Sequence, residues 1–422
     1  MGRVLAKPKL RNRTPGREAE REDLMSNPQQ LMRAFWDSTS DRRYPSLPTC
    51  PTEGQIRSAL SENNQTCPLN KIIIGDENQG NMRTLRRFAF TACKRINHSA
   101  RGCNFGIFAQ SGQGKTFVVK QFAETIEIPF VLIQSASLSD TWQLFKEISD
   151  ACEKAGTPIV DCKTDKSDYS LPPVIVFFDE AHQIPRKMMK GGLLNAMEAD
   201  DGYMLAKPPG MNTDSIVIDC KEVCWIAATT EKGMLFDAFA NRLGTLIEWQ
   251  NAGVDQVTEI VKQKMDWRKE HNYLPFSMPV ESCKIVSRYC RVPREAVSFA
   301  EKVIQQRDMM PSDEWTEAAE KVAKDIGLDE WGFTKKQIAI LKAVGQRPIA
   351  LKGLPTVARC RIEQIEKFEL PKLIGYHDGG PFLVPVSGRG MCITEAGLKQ
   401  LEKRDIAHKG KRVTAEYFEN RR

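Results

Sequence analysis

The octapeptide Ala109-Gln-Ser-Gly-Gln-Gly-Lys-Thr116 constrains this chain more than any other stretch of its 422 residues. Gly112 and Gly114 permit a turn tight enough for successive backbone N–H groups to point at a phosphate. Lys115 adds charge, and the Thr116 hydroxyl suits a Mg²⁺ ligand. A β-like run, Phe105 to Phe108, precedes the loop and a helix-like run follows it. A glycine turn in an unrelated α/β domain is the plain alternative, and it leaves Gly-Lys-Thr between a strand and a helix unexplained. Ala109 stands where glycine is usual, which costs little if its φ is negative.

Further on, Pro173-Val-Ile-Val-Phe-Phe-Asp179-Glu180-Ala-His182 is an apolar run that ends in two acids. Such a run predicts a buried parallel strand that delivers carboxylates at its C-terminal edge. Asp179 is expected to hold Mg²⁺ together with Thr116, and Glu180 to orient or deprotonate the attacking water. The pair predicts hydrolysis as well as binding. Asp-Glu-Ala-His also occurs in a separate helicase superfamily, but the order of the later elements fits another family better. His182 reads as a loop histidine beside the acids.

The length calls for two to four domains. Twelve cysteines, from Cys50 to Cys392, form no Cys-x-x-Cys pair, which points to a reducing compartment. Cys220 and Cys224 read as core thiols on one face of a single strand-like region, Val217 to Ala227. The five histidines have no ligand spacing. No apolar run approaches the roughly 20 residues a membrane helix needs, so no membrane partner is expected. The expected location is cytoplasmic or nucleoid-associated. The net charge is +7, and six Lys/Arg precede the first acid, Glu18. A second basic cluster runs from Lys403 to Arg412. Such arms attract phosphate backbones or stay solvated, and charge alone does not choose between the two.

The chain divides into an irregular basic arm and Pro-rich linker (1–70), an α/β core with a parallel sheet (71–250), an all-helical block (251–328), a helix-then-ribbon block (329–402) and a basic tail (403–422). Between Asp200 and Cys220, Gly202 to Thr213 reads as a hairpin or long loop inserted into the core. In the fourth block, helix Lys335 to Val344, a helical stretch from Arg361 to Phe368 and two extended runs around Ser387-Gly-Arg-Gly390 describe a winged helix. Arg389 in the wing turn, with Arg359 and Arg361 as supports, is placed to meet DNA. Arg186, Lys187 and Lys190 are candidates for DNA contact in a pore, or a solvated helix face.

Taken in order, these features resemble the AAA+ ATPases, and among them most of all the RuvB branch-migration motors, from Ile72 to Leu401. Ile74-Gly75-Asp76 resembles that family's adenine-packing box. Ala196-Met-Glu198 and the following insert resemble the segment carrying its protruding hairpin, which contacts RuvA. Ile226-Ala-Ala-Thr-Thr-Glu-Lys-Gly-Met-Leu235 is similar to its Gly-Ala-Thr-Thr-Arg-Ala-Gly run, and Phe239-Ala-Asn-Arg242-Leu-Gly244 to its Leu-Arg-Asp-Arg-Phe-Gly. Val292-Pro293-Arg294 resembles its Thr-Pro-Arg.

The resemblance implies a P-loop AAA+ parallel sheet core, a helical lid and a C-terminal winged helix. It implies ATP and Mg²⁺ at a site comprising Ile74, Gly75, Gly112, Gln113, Gly114, Lys115, Thr116, Phe117 and Arg294. Thr229, with Thr230, would sense the γ-phosphate, and Arg242 would reach into a neighbour's site. A ring, most simply a hexamer, and a DNA substrate follow from the same likeness. The chain departs from the pattern in its N-terminal arm, in Glu231 where arginine is usual, and in Arg291 where glycine is usual. These departures leave ATP chemistry intact and bear on partners, expected at hairpin 202–213 and at the arm. Two functions remain: a motor that translocates DNA or remodels junctions, and an ATP-gated DNA scaffold that recruits a nuclease, transposase or replication protein.

Overall fold

The computed structural model describes residues 53–94, 103–157, 159–161, 167–198, 202–209, 215–310, 314–374 and 381–419. The basic arm and most of its linker lie outside these residues. The chain forms two compact units. One comprises described residues up to Ile72 and within Gly80–Phe108 and Lys115–Glu248; the other comprises Ile73–Gln79, Ala109–Gly114 and the chain from Trp249 onward.

The first unit is built on a five-stranded parallel sheet. Strands β1 (Phe105–Phe108), β2 (Phe130–Gln134), β5 (Val174–Asp179), β8 (Val223–Thr229) and β9 (Thr245–Glu248) lie in the order β2-β5-β8-β1-β9. The two acid-to-threonine strands are central because they are apolar on both faces. Val174 to Phe178 and every residue of β8 are buried, whereas edge strand β2 alternates. Helix Lys115–Ile126 buries Val118, Val119, Phe122 and Ile126. Helix Thr141–Lys154, capped by the Asp140 carboxylate accepting from the Gln143 N–H at 2.9 Å, buries Leu144, Phe145 and Ile148. Phe178 stacks on the fully buried Trp225 with centroids 6.0 Å apart. The register sets Phe108 opposite Thr229 and Phe178 opposite Ala227, so β1, β5 and β8 end level with one another.

A second sheet, which the sequence reading missed, is inserted in this unit. It is formed by β3 (Val160–Asp161), β4 (Tyr169–Ser170), β6 (Tyr203–Ala206) and β7 (Ile216–Asp219) in the order β3-β4-β7-β6. The expected hairpin is present as β6 and β7, but its return strand starts beyond Thr213, and residues 210–214 of its tip lie outside the described residues. The Val217 to Ala227 region is two strands in different sheets. A turn in which the Val223 N–H reaches the Cys220 carbonyl and the Lys221 N–H reaches Asp219 Oδ1 separates them. Cys220 therefore sits in the turn and Cys224 on β8. Burial raises both thiols all the same.

The stretch from Glu53 to Lys71 is more ordered than its composition suggested. Helix Glu53–Ala59 buries Ile56 and Ala59, and a 3₁₀ turn at Pro68–Lys71 buries Leu69, so the last part of the expected irregular arm belongs to the first unit. Ten cysteines are described and none is in a disulfide; nine are buried and Cys360 is half-buried. Burial pushes Cys93 and Cys290 up to about 12 and Cys152 up to about 11, the behaviour of core thiols.

In the second unit, helices Val254–Glu270, Val280–Tyr289, Pro293–Asp308 and Trp315–Asp325 enclose a core that includes Val257, Val261, Val286, Phe299 and Val303. A separate cluster organises the C-terminal region around Ile340, Leu341, Ile365, Leu383 and Leu401. There, Thr334 and Gln337 close a capping box on helix Lys335–Val344. A short helix, Leu354–Ala358, was not expected, and the helical stretch from Arg361 runs on to Ile374. Antiparallel β10 (Leu383–Val386) and β11 (Gly390–Ile393) lead to helix Glu395–Glu402. The chain after Lys403 does not behave as a loose tail through residue 419. Arg404 pairs with Asp329 at 2.7 Å, Thr414 bridges to Ile393, and Val413 and Ala415 are buried. Among the described residues, no helix is long and apolar enough to cross a membrane, and no group of His, Cys, Asp or Glu is arranged to hold a metal by itself.

Candidate nucleotide site

Within the first unit, the level strand ends bring four expected residues together. Lys115, only 7% exposed, opens the helix that follows the glycine loop, and its Nζ lies 3.9 Å from Glu180 Oε1. Glu180 follows Asp179 at the end of β5 in the left-handed conformation, φ 50°, ψ 53°. A non-glycine residue there costs about 1–2 kcal/mol. Its carboxylate is held across the sheet by β8: Thr230 donates to Oε2 through both its N–H, at 3.2 Å, and its hydroxyl, at 2.9 Å. Bonds of this kind to a charged acceptor contribute roughly 1.5–3 kcal/mol each, enough to hold the strained backbone. Thr229, 1% exposed, accepts from the Glu231 N–H at 3.0 Å. Asp179 and Thr116 are half-buried, and Phe117 is 43% exposed.

His182, expected as a loop histidine, is part of this group. Its Nδ1 is 2.9 Å from Thr229 Oγ1 and 3.5 Å from Glu180 Oε2. The only signal in the sequence was its place two residues after Glu180, where a 3₁₀ turn, Ala181–Gln183, folds the chain back over the strand end.

Within the second unit, the glycine loop is braced by the first turn of helix Pro293–Asp308. The Arg294 N–H donates to the Gly112 carbonyl at 3.3 Å. Gly112 has φ +80°, and a Cβ there would lie 2.6 Å from Val292 Cγ1; Gly114, φ +87°, has open space where its Cβ would be. One glycine is needed for close packing, and the other leaves a backbone that a phosphate can approach. The loop's amides fix its position: the Ala252 N–H donates to Gln113 Oε1 at 3.1 Å and Asn251 Nδ2 to Gln110 Oε1 at 3.2 Å. The Gln113 side chain is thus committed to the protein. Ile74 and Gly75 lead into a 3₁₀ turn, whose Asn78 exchanges hydrogen bonds of 3.0 and 3.1 Å with the Gln250 backbone. Asn78 and Asn251 were not anticipated, because an amide that fastens backbone leaves no periodic trace. Gly112→Ala is expected to weaken nucleotide binding about tenfold, since it adds about 1–2 kcal/mol of left-handed strain to the overlap with Val292; titration with a fluorescent ATP analogue measures it.

Arg242 lies in the last turn of helix Asp237–Leu243. Its Nη2 pairs with Glu198, Nη1 donates to the Ala238 carbonyl at 3.3 Å, and Nε is buried without a partner. It borders a cavity of about 220 Å³ that Glu198, Lys221 and Trp225 also line. The expected DNA contacts are all exposed. Arg186, Lys187 and Lys190 alternate with buried Met188 and Met189 on the turn after the acid strand, and Lys190 lies over the Phe236 ring at 5.8 Å. Arg359 and Arg361 flank the turn between helix Leu354–Ala358 and the next helix, and Arg389 stands in the β10–β11 turn.

Comparison with known proteins agrees with this geometry. Residues 106–251 match the family model of the ATPase family associated with various cellular activities (AAA). The chain is 23% identical over 235 residues to the Holliday junction branch migration complex subunit RuvB of Thermotoga maritima, a match covering 54% of this chain and 66% of that protein. A solved mutant of Thermotoga maritima RuvB superposes with a TM-score of 0.56 at 17% identity, over 79% of this chain and 97% of that one. The structure described as the Thermotoga maritima RuvB Holliday junction branch migration motor gives 0.53 at 17% identity, over 78% and 95%. Residues 106–251 thus form a domain of the AAA ATPase type, and the chain as a whole is a divergent relative in fold of the RuvB proteins it resembles.

Proposed function

We propose that this protein hydrolyses ATP at sites completed by neighbouring copies in a ring, most simply a hexamer, and uses the cycle to move along DNA or remodel a DNA junction. The observation that carries the reading is the convergence of Lys115, Glu180, Thr229 and Thr230 at the level ends of β5 and β8 and the start of the loop helix. Thr230 occupies Glu180 Oε2, so Oε1 is the oxygen available to take a proton from water. Lys115 neutralises phosphate charge beside it. Thr116 and Asp179 supply the hydroxyl and carboxylate oxygens that suit Mg²⁺, which when bound shares the charge of the phosphate oxygens. The Arg294 N–H bond to the Gly112 carbonyl supports a reading in which this helix start responds to nucleotide at the loop.

The C-terminal region supports a DNA role. Two helices joined by a turn bearing Arg359 and Arg361, followed by a two-stranded ribbon with Arg389 at its tip, match the plan of a winged helix. Arg389→Ala is expected to lower affinity for DNA irrespective of sequence and to reduce the slope of log K against log salt by about 0.9, one phosphate contact; fluorescence anisotropy across a salt series reads both. A protein partner is proposed at hairpin 202–213 and at the N-terminal arm, of which residues 210–213 and 1–52 lie outside the described residues.

One observation favours the scaffold reading. Arg242 is held by Glu198 within its own chain, which fits a protein whose hydrolysis waits on assembly. ATP turnover and strand displacement on a four-way junction, a fork and plain duplex separate the two readings. Strand movement on the junction is the expected result; DNA-stimulated turnover without movement on any substrate assigns the scaffold.

A further inference from the structure

Thr229 has one hydroxyl hydrogen and two lone pairs. The Glu231 N–H occupies one lone pair at 3.0 Å, and His182 Nδ1 approaches the oxygen at 2.9 Å. Two arrangements are open. If Nδ1 accepts, it consumes the hydroxyl hydrogen, and Thr229 has nothing left to donate to a phosphate. If Nδ1 carries the ring hydrogen, it fills the second lone pair and turns the hydroxyl hydrogen away from the protein. Glu180 decides between them. Its Oε2 lies 3.5 Å from the same nitrogen, and a carboxylate can only accept. A bare Nδ1 would set its lone pair against that oxygen, whereas an Nδ1–H is attracted to both acceptors.

We propose that His182 is a positioning residue for hydrolysis: its Nδ1–H bridges Thr229 and Glu180, making Thr229 an obligate donor toward the γ-phosphate while drawing the Glu180 carboxylate to the same end of β8. This rests on the reading of Glu180 as the group that activates water. It gives His182 a task distinct from binding. Nucleotide affinity is set by the glycine loop and Lys115, while the histidine acts on the hydroxyl that meets charge developing at the transferred phosphoryl group. Its burial, with a side chain 10% exposed, keeps water from substituting for the bond.

The test uses the full chain and three variants. His182→Leu removes the donor, and His182→Asn returns an amide N–H near the position of Nδ1. The expected result is a fall of about tenfold in kcat for the leucine variant, the scale of one hydrogen bond to a charged or reacting group. Affinity for a non-hydrolysable ATP analogue should stay within about twofold, and asparagine should recover most of the loss. A direct reading comes from ¹⁵N-histidine spectra of the wild type, with the His182 signal assigned by its absence from the asparagine variant; Nδ1 should be protonated with and without that analogue. An unprotonated Nδ1, or wild-type kcat in His182→Leu, overturns the proposal. Glu180→Gln separates it from the reading beneath it. If that variant is inactive while His182→Leu is unimpaired, only the histidine's role falls; if Glu180→Gln keeps full turnover, the assignment of the hydrolytic centre falls with it.

Discussion

Glu180→Gln should lower steady-state ATP turnover by about 10² to 10⁴, the range that a positioned general base contributes, and leave ATP binding close to normal. Glutamine keeps the size of the side chain and can still accept from Thr230 through its amide oxygen, so the strained backbone at φ 50° retains its principal tie. What it loses is an oxygen basic enough to take a proton. Lys115, on the far side of the carboxylate at 3.9 Å, is untouched and continues to attract phosphate. Filter binding with labelled ATP and a coupled phosphate assay on the same preparation give the two quantities. A variant that binds and still turns over at the wild-type rate removes Glu180 from the chemistry.

Arg242→Ala is expected to cost about 10³ or more in turnover, the scale measured where an arginine supplied from outside the site neutralises charge in phosphoryl transfer. The within-chain arrangement sharpens this expectation. Within its own chain Arg242 is paired with Glu198 and bonded to the Ala238 carbonyl, and under the proposed shared site it acts on a neighbour's nucleotide. Mixing two inactive proteins tests the idea without a structure of the assembly. In a mixed ring, a subunit carrying Arg242→Ala keeps its own Glu180, and an adjacent Glu180→Gln subunit keeps its Arg242, so the site they share is whole. Turnover should rise above that of either parent and peak at intermediate ratios. Flat, inactive mixtures at every ratio, with assembly verified by light scattering, would remove the shared-site arrangement.

The parts of this molecule legible from sequence are those whose cause is local. Gly112 to Thr116 and the Val174 to Glu180 run declare themselves because a phosphate turn and a buried strand ending in acids each require particular residues within a few positions. The start of helix Lys335–Val344 likewise has a local cause, since Thr334 and Gln337 cap it. The rest is settled by contacts distant in sequence. Strands β3 and β4 are two residues each, too short for any alternation to register, and exist because β7 offers a partner. Val217 to Ala227 reads as one strand because its apolar character is continuous; only the hydrogen bonds of the Cys220 turn reveal the change of sheet. Helix Leu354–Ala358 contains Pro355, which disguises it, although proline is at home in a first turn. His182 and Thr229 are 47 residues apart, and nothing in either segment announces the other.

The distribution of thiols offers a practical opening. With nine of the ten described cysteines sealed inside and Cys360 half-accessible between the two basic residues Arg359 and Arg361, a maleimide dye on a version lacking Cys50 and Cys162 should attach at one place. That place is the bend joining two helices of the region proposed above to bind DNA. If the proposed DNA role holds, a fluorophore there should brighten or dim when DNA is added, giving a real-time optical record of loading that needs no change to the proposed ATP-handling residues.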